Sequence, residues 1–335
     1  MKQVTMIGID LAKNVFALHG VNAAGEVVLR RLCRRHELAE LIAQLPPCVI
    51  GMEVGSGAHE WARRFEGFGH TVRLMAAKFV HPYRKAGKND FNDAEAICEA
   101  VGRPNMRFVP VKSTEQQAIL CLHRARQGFV EERTALINRI RGLVAEFGIV
   151  LAQRPIAVKR ARALVLEALP ELARAALSDL YDHLAVLDER IAQHERRIVQ
   201  LARENEAARR LMAITGIGPL IALALIATVG DARVFANGRQ FAAWLGLTPR
   251  QHSSGGKTRL GHITHRGDAY LRMLLTLGAR AAVQVAGRRS DRLSRWIVEL
   301  RRRRGYHRTV VAVAAKNARI AWALLARGER LRVAT

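Results

Sequence analysis

The order of apolar runs in the first third of the chain restricts its fold more than any other feature. Val4–Ile9, Val15–His19 and Val27–Leu32 read as three strands joined by short turns, the second turn carrying Asn22-Ala23-Ala24-Gly25. A helical stretch from His36 to Leu45 is stopped by Pro46-Pro47. A buried strand (Cys48–Glu53), a helix (His59–Phe68), a strand (Thr71–Ala76), a helix (Asp93–Val101) and a short last strand (Arg107–Pro110) follow. Three hairpin strands followed by alternating helices and strands describe a mixed α/β sheet.

The β-β-β-α-β-α-β-α order matches the ribonuclease-H-like arrangement, so residues 1–112 are expected to form such a domain. Residues 113–150 read as one long helix. In residues 176–208 a heptad seam runs through Leu180, Leu184, Leu187, Ile191, His194, Ile198, Leu201 and Asn205. Polar residues inside a seam can fix register and partner number. The pattern is shared by an intermolecular coiled coil and by an internal hairpin with residues 114–150. Residues 113–205 therefore read as a long helical segment, and 206–335 as a mainly α C-terminal domain.

Charge points to a polyanionic partner. The chain has 335 residues and a formal net charge of +25. Residues 206–335 hold 24 Lys and Arg against 6 Asp and Glu, so a surplus of 18 lies in this part. Such an asymmetry marks a nucleic-acid surface. The densest run, Arg301-Arg302-Arg303-Arg304, suits phosphate contact or a solvated helix end. Cys33, Cys48, Cys98 and Cys121 are scattered without a C-x-x-C, so they read as buried thiols of a reducing compartment. No signal-peptide pattern opens the chain, because Asp10 and Lys13 interrupt the apolar stretch. The run Ile217–Val229 is too short to span a bilayer. A cytoplasmic, non-membrane protein is expected.

In a chain this basic, four acids stand out. Asp10 ends Met6-Ile7-Gly8-Ile9-Asp10, and Glu53 ends Val49-Ile50-Gly51-Met52-Glu53. Asp90 and Asp93 lie where a helix should begin. Hard cations such as Mg2+, or Mn2+, take oxygen ligands from a few carboxylates plus substrate phosphate. Two such ions can stabilise both the attacking and leaving oxygens of a phosphoryl transfer. Asp90 could instead be an N-cap and Asp93 a first-turn acid favoured by the helix dipole.

Two further motifs lie in the basic part. Ile214-Thr215-Gly216-Ile217-Gly218-Pro219 joins two helices, and Gly216 and Gly218 would let backbone amides approach a phosphate, as in a helix-hairpin-helix. Ser253-Ser254-Gly255-Gly256-Lys257-Thr258-Arg259 lies in a polar loop after Gly246-Leu247-Thr248-Pro249-Arg250. A serine there could attack a phosphodiester, but it needs activation that sequence does not display. His252, His262 and His265 fit no common zinc spacing and read as phosphate contacts or loop residues.

Taken together, Gly8-Ile9-Asp10-Leu11-Ala12-Lys13, Met52-Glu53 with Gly57-Ala58-His59, Lys88-Asn89-Asp90 with Asp93-Ala94-Glu95-Ala96-Ile97, Ile214–Pro219, Gln240–Arg250 and Ser253–Lys257 resemble the DEDD transposases of insertion sequence 110, in particular the insertion sequence 1111 branch. The resemblance covers nearly the whole chain. It implies a RuvC-like N-terminal domain, a coiled-coil region and a C-terminal transposase domain. It also implies a metal-binding tetrad of Asp10, Glu53, Asp90 and Asp93, and a nucleophilic Ser254, with Ser253 one residue away as the competing assignment. The implied activity is DNA transposition: a site-specific recombinase cleaves and rejoins donor and target DNA through a covalent phosphoserine. A structured bridge RNA guides it, in a dimer that pairs into a tetramer and is nucleoid-associated in a bacterial cell when acting. Arg250, Lys257 and Arg259 are the nearest basic residues to neutralise developing charge.

Three other readings compete. A RuvC-like structure-specific endonuclease would use water and need the tetrad but not Ser254. A non-catalytic nucleic-acid-binding protein would keep its affinity after Asp10→Asn. An actin-like sugar kinase also opens on Gly-Ile-Asp, but no second phosphate loop is evident and the basic C-terminal half argues against it.

Overall fold

Strands β1 (Met6–Asp10), β2 (Val15–Val21) and β3 (Val27–Arg34) form an antiparallel meander. After α1 (Leu38–Ala43), strand β4 (Val49–Glu53) returns beside β1 in parallel. Helix α2 (Ala58–Gly67) leads to β5 (Thr71–Met75), parallel to β4. Helices α3 (Ala77–Val80) and α4 (Asp90–Val101) then precede β6 (Phe108–Val109), antiparallel to β5. The sheet order is β3-β2-β1-β4-β5-β6, the mixed α/β sheet expected from the sequence. The computed structural model describes residues 3–85, 87 and 89–331. Contacts divide the chain into two units, Met1–Thr114 and Glu115–Thr335.

Alternation along the strands splits the first core in two. Ile7, Ile9, Ile50 and Met52 point to one face, where they pack with Leu38, Ile42, Trp61 and Phe65 of α1 and α2. Met6 and Val49 point to the other, where they meet Ile97 and Val101 of α4. Gly8 and Gly51 share that second face. A Cβ on Gly8 would lie 2.2 Å from the Ala94 carbonyl oxygen, and one on Gly51 would lie 2.8 Å from Val101. Two glycines on adjacent strands thus let α4 lie directly on the sheet.

Among the described residues, the regular elements of the second unit are helices and one hairpin. Helices α5 (Thr114–Ala145), α6 (Pro155–Arg160), α7 (Arg162–Glu167) and α8 (Glu171–Glu204) make up its first part. Helices α9 (Glu206–Met212), α10 (Pro219–Val229) and α11 (Gly238–Trp244) lead into β7 (Pro249–Gln251) and β8 (Leu260–Ile263). Helices α12 (Ala269–Val285), α13 (Arg292–Arg304) and α14 (Tyr306–Arg327) complete it. Helix α14 is long and apolar enough to cross a membrane by length and composition. Its buried face, with Val310, Val313, Ala314 and Ala318, instead packs into the core around α10 and α12.

The heptad seam of α8 is covered by the chain's own α5. Leu184 and Leu187 pack with Leu136, Ile137 and Ile140 in one core. Arg126 bonds Glu195 at 3.0 Å, Glu132 meets His183 at 3.1 Å and Arg133 meets Asp188 at 3.3 Å, the register of an antiparallel pair. His194 lies against the Phe129 ring, 5.4 Å between centroids. Asn205 is not a seam residue: α8 ends at Glu204, and the Asn205 side chain caps α9 by accepting from the Ala208 N–H. Cys33, Cys48 and Cys98 are buried, whereas Cys121 is exposed, contrary to the expectation for all four.

Candidate functional site

Local geometry brings the four acids to one edge of the first unit. Asp10 and Glu53 follow Gly8 and Gly51 by two residues, so each shares its glycine's face of the sheet. Helix α4 runs antiparallel to β1, with Gly102 over Met6 and Ala94 over Gly8. One turn back from Ala94 is Asp90, and one turn back from Ile97, which covers Gly51, is Asp93. The first turn of α4 therefore overhangs the strand ends that carry Asp10 and Glu53. The cap is Asn89, whose side chain accepts from the Asn92 N–H at 2.9 Å, so Asp90 is not needed for capping. Both aspartates in this turn are favoured by the helix dipole.

Oxygen donors at one edge suit a hard divalent cation. Among the described residues, however, no three His, Cys, Asp or Glu side chains stand close enough together to hold an ion. Asp93 is engaged by Arg84, whose Nη1 donates to Oδ1 at 3.1 Å. Sequence reading missed Arg84, which lies in the segment between α3 and α4 and belongs to no motif.

The loop expected around Ser254 is a β-hairpin. Gly255 and Gly256 have φ of +54° and +75°, and the Lys257 N–H donates to the Ser254 carbonyl at 3.0 Å. Positive φ at both central residues is what a two-residue type I′ turn requires. The Gly-Gly pair was the available signal, but polar flanks in place of alternating apolar residues hid it. Arg250, Lys257 and Arg259 lie on the same hairpin as Ser254, and residues 249–262 are all exposed.

The two serines differ in what they touch. The Ser253 hydroxyl accepts from the Arg259 N–H at 3.2 Å and from Gln251 Nε2 at 3.0 Å. It is part of the hairpin's own bonding. Ser254 pairs with Lys257 through backbone, across the turn, and its hydroxyl makes no hydrogen bond to a described residue.

The remaining basic and glycine positions fall elsewhere in the second unit. Gly216 has φ of +90°, and its Cβ would lie 2.6 Å from the Gly278 carbonyl oxygen of α12. Close helix packing is thus a sufficient reason for glycine there, while Gly218 is exposed and starts α10. Arg301, Arg302, Arg303 and Arg304 form the exposed last turn of α13, where cations complement the helix dipole. Arg302 and Arg303 pair with Glu299, and Arg301 lies over the Tyr306 ring.

Known proteins resemble the chain over its full length. Residues 7–149 match a DEDD-type transposase family, and residues 208–294 match the family described as "Transposase IS116/IS110/IS902 family". A "Probable family 20 transposase" of Pseudomonas aeruginosa is 50% identical, covering 97% of each chain. The transposase for insertion sequence element IS1328 of Yersinia enterocolitica is 42% identical over 98% of each chain. The transposase for insertion sequence element IS1111A of Coxiella burnetii is 41% identical, covering 99% of this chain and 92% of that protein. Identity on this scale, across both units, makes the chain a member of the IS116/IS110/IS902 family of transposases, enzymes that bind, cleave and rejoin DNA.

Proposed function

We propose that this transposase cleaves and rejoins DNA through a covalent phosphoserine on Ser254. The Oγ of Ser254 gives up its proton to solvent and attacks a phosphodiester phosphorus, the bond to the 3′ oxygen breaks, and that oxygen takes a proton from solvent and leaves as a hydroxyl. Attack by a second 3′ hydroxyl on the phosphoserine reverses the bond changes and rejoins the strands. Lys257, Arg259 and Arg250 sit on the hairpin with Ser254, where their charge offsets that gathered on the phosphoryl oxygens. The observation that carries this reading is the contrast between the Ser254 hydroxyl, which is exposed and bonded to no described residue, and the Ser253 hydroxyl, which the hairpin uses.

The first unit supports a RuvC-like reading, since its sheet order and its acids on adjacent strand ends suit that fold. Asp10, Glu53, Asp90 and Asp93 would hold Mg2+ or Mn2+ once their side chains close in and Asp93 exchanges Arg84 for the ion. When bound, such an ion polarises the scissile phosphate and stabilises the leaving oxygen. The reading extends to a bridge RNA that pairs with donor and target DNA, and to a dimer that pairs into a tetramer. The basic second unit, with Arg301–Arg304 and the Gly216–Gly218 turn, is the surface proposed to hold nucleic-acid backbone.

The test incubates the protein with element-encoded RNA, labelled donor and target DNA and Mg2+, followed by denaturing gels with and without protease. A protease-sensitive protein–DNA adduct that vanishes in Ser254→Ala and persists in Ser253→Ala is expected. Nicked DNA without an adduct, undiminished in Ser254→Ala, would make the enzyme a water-using nuclease instead.

A further inference from the structure

Among the described residues, the Ser254 hairpin is anchored at its feet. Residues 249–262 are exposed throughout, so no core side chain pins the strands to the helices below. From Thr248 to Ser254 the strand extends about 20 Å at roughly 3.3 Å per residue. A tilt of about 10° at the base would therefore move the Ser254 hydroxyl by roughly 3.5 Å. Phosphoryl attack tolerates far less, because a misplacement of about 1 Å can cost roughly a hundredfold in rate.

The described contacts that tie the hairpin to its unit are gathered at the base. The strands enter and leave through segments 244–247 and 264–267, which touch backbone to backbone. A Cβ on Gly246 would lie 2.1 Å from the Arg266 carbonyl oxygen, and one on Gly267 would lie 1.9 Å from that of Trp244. Between them, His265 has φ of +55°, the only positive φ outside glycine among the described residues. A residue held in that region signals surroundings that over-determine it.

One side chain ties both feet. Arg272, half-buried in the first turn of α12, donates from Nη1 to the Leu245 carbonyl at 3.2 Å and to the Arg266 carbonyl at 3.2 Å. Leu245 is the C-cap of α11, so its carbonyl belongs to a helix end that lacks intrahelical donors and favours a cation. The guanidinium thus joins the segment entering β7 to the segment leaving β8.

We propose that Arg272 is a positioning residue for strand transfer: by joining the two feet it fixes the pitch of the hairpin and so the approach of Ser254 to the scissile phosphate. The inference rests on Ser254 as nucleophile. Arg272 touches neither DNA nor the reacting atoms in this role, so its loss slows the covalent step without weakening DNA binding.

The test compares wild type, Arg272→Met and Arg272→Lys in single-turnover adduct formation, DNA binding and amide hydrogen exchange. Met keeps the aliphatic stem and removes the donors; Lys restores one cationic donor. Arg272→Met is expected to slow adduct formation about a hundredfold, with DNA affinity within about twofold of wild type. The Thr264 N–H, bonded to the Thr248 carbonyl at the base, should exchange faster, while the Lys257 N–H in the turn keeps its protection. Arg272→Lys should recover part of the rate. Should Arg272→Met fail to fold, the same ordering of rate and Thr264 exchange is read from Arg272→Lys against wild type. Adduct formation that falls only in proportion to DNA affinity would make Arg272 a DNA contact and overturn the proposal. A wild-type adduct that the Arg272 variants form at full rate overturns Arg272's role alone, whereas no Ser254-dependent adduct in the wild type overturns the nucleophile reading itself.

Discussion

The acid-bearing edge of the first unit and the serine hairpin of the second are built on opposite principles. The acids stand on strand ends and a helix turn held by close packing, the α4 backbone lying on Gly8 and the Val101 and Ile97 side chains on Gly51. The serine stands on a solvated lever, joined to its unit at one base and buried nowhere between residues 249 and 262. If the four acids hold a cation as proposed, their oxygens must be placed to within a fraction of an ångström around it, a precision that strand ends and a packed helix favour. As the proposed nucleophile, Ser254 would gain from reach when it meets a long, variable polyanion.

The largest way to break that contrast is Gly8→Ala. Its Cβ would meet the Ala94 carbonyl oxygen at 2.2 Å and the Cys98 nitrogen at 2.3 Å, both backbone atoms that cannot step aside alone. Helix α4 must lift, and the cost should reach at least about 3 kcal/mol. Gly51→Ala meets side-chain atoms of Val101 and Ile97 instead, which can shift, so its cost should be the smaller. Urea unfolding of both variants measures this. Equal effects would mean that α4 does not depend on the backbone contact at Gly8.

These contacts also mark how far sequence could lead. Apolar runs and Gly/Pro punctuation located the strands of the sheet, because strand burial leaves a local signature in each run. Asp10 and Glu53 were legible as acids ending apolar runs, and Asp90 and Asp93 as acids where a helix begins. That α4 overhangs Asp10 and Glu53 was not, because it depends on the missing side chains of Gly8 and Gly51, forty-three positions apart in sequence. Arg84 beside Asp93 left no pattern at all. The heptad in α8 showed an apolar seam but not its partner, since α5 and a second chain would satisfy the same periodicity. Asn205 matched the period and serves a cap, the outcome when a turn signal coincides with a heptad position.

A middle-sized effect should appear where rigidity returns below the hairpin. His123 of α5 is fully buried, and its Nδ1 lies 3.1 Å from the hydroxyl of Tyr270 in the first turn of α12. Burial first, and Arg126 second, push its pKa down to about 4. The folded state therefore holds fewer protons on this ring than the unfolded chain, whose histidine titrates near 6.5. Stability is fully present above that value and falls as pH drops toward 4. Between pH 7 and pH 5 the ring should cost about 2 kcal/mol of unfolding free energy. Comparing His123→Gln with wild type at both pH values isolates it from His59 of the first unit, whose pKa is also pushed down to about 4 by burial. A pH dependence equal in the two proteins would show that His123 titrates normally and that the root of α12 is open to water.

The smallest effect belongs to the tip, and its smallness is the point. Gly255 has φ of +54° and a Cβ there would meet nothing within 4 Å. Alanine at this position costs only its left-handed backbone, about 1 to 2 kcal/mol, and that cost falls on the turn. Because the tip shares no core with the helices, Gly255→Ala should leave the unfolding midpoint of the protein where it was. Exchange of the Lys257 N–H should rise by about fivefold to thirtyfold, the ratio that corresponds to that cost. Asparagine tolerates the left-handed region and Asn-Gly favours the same turn, so Gly255→Asn should keep the wild-type exchange rate. A shift of the global midpoint in Gly255→Ala would mean that the hairpin is packed into the fold after all, and the separation between a rigid acid edge and a solvated serine lever would be lost.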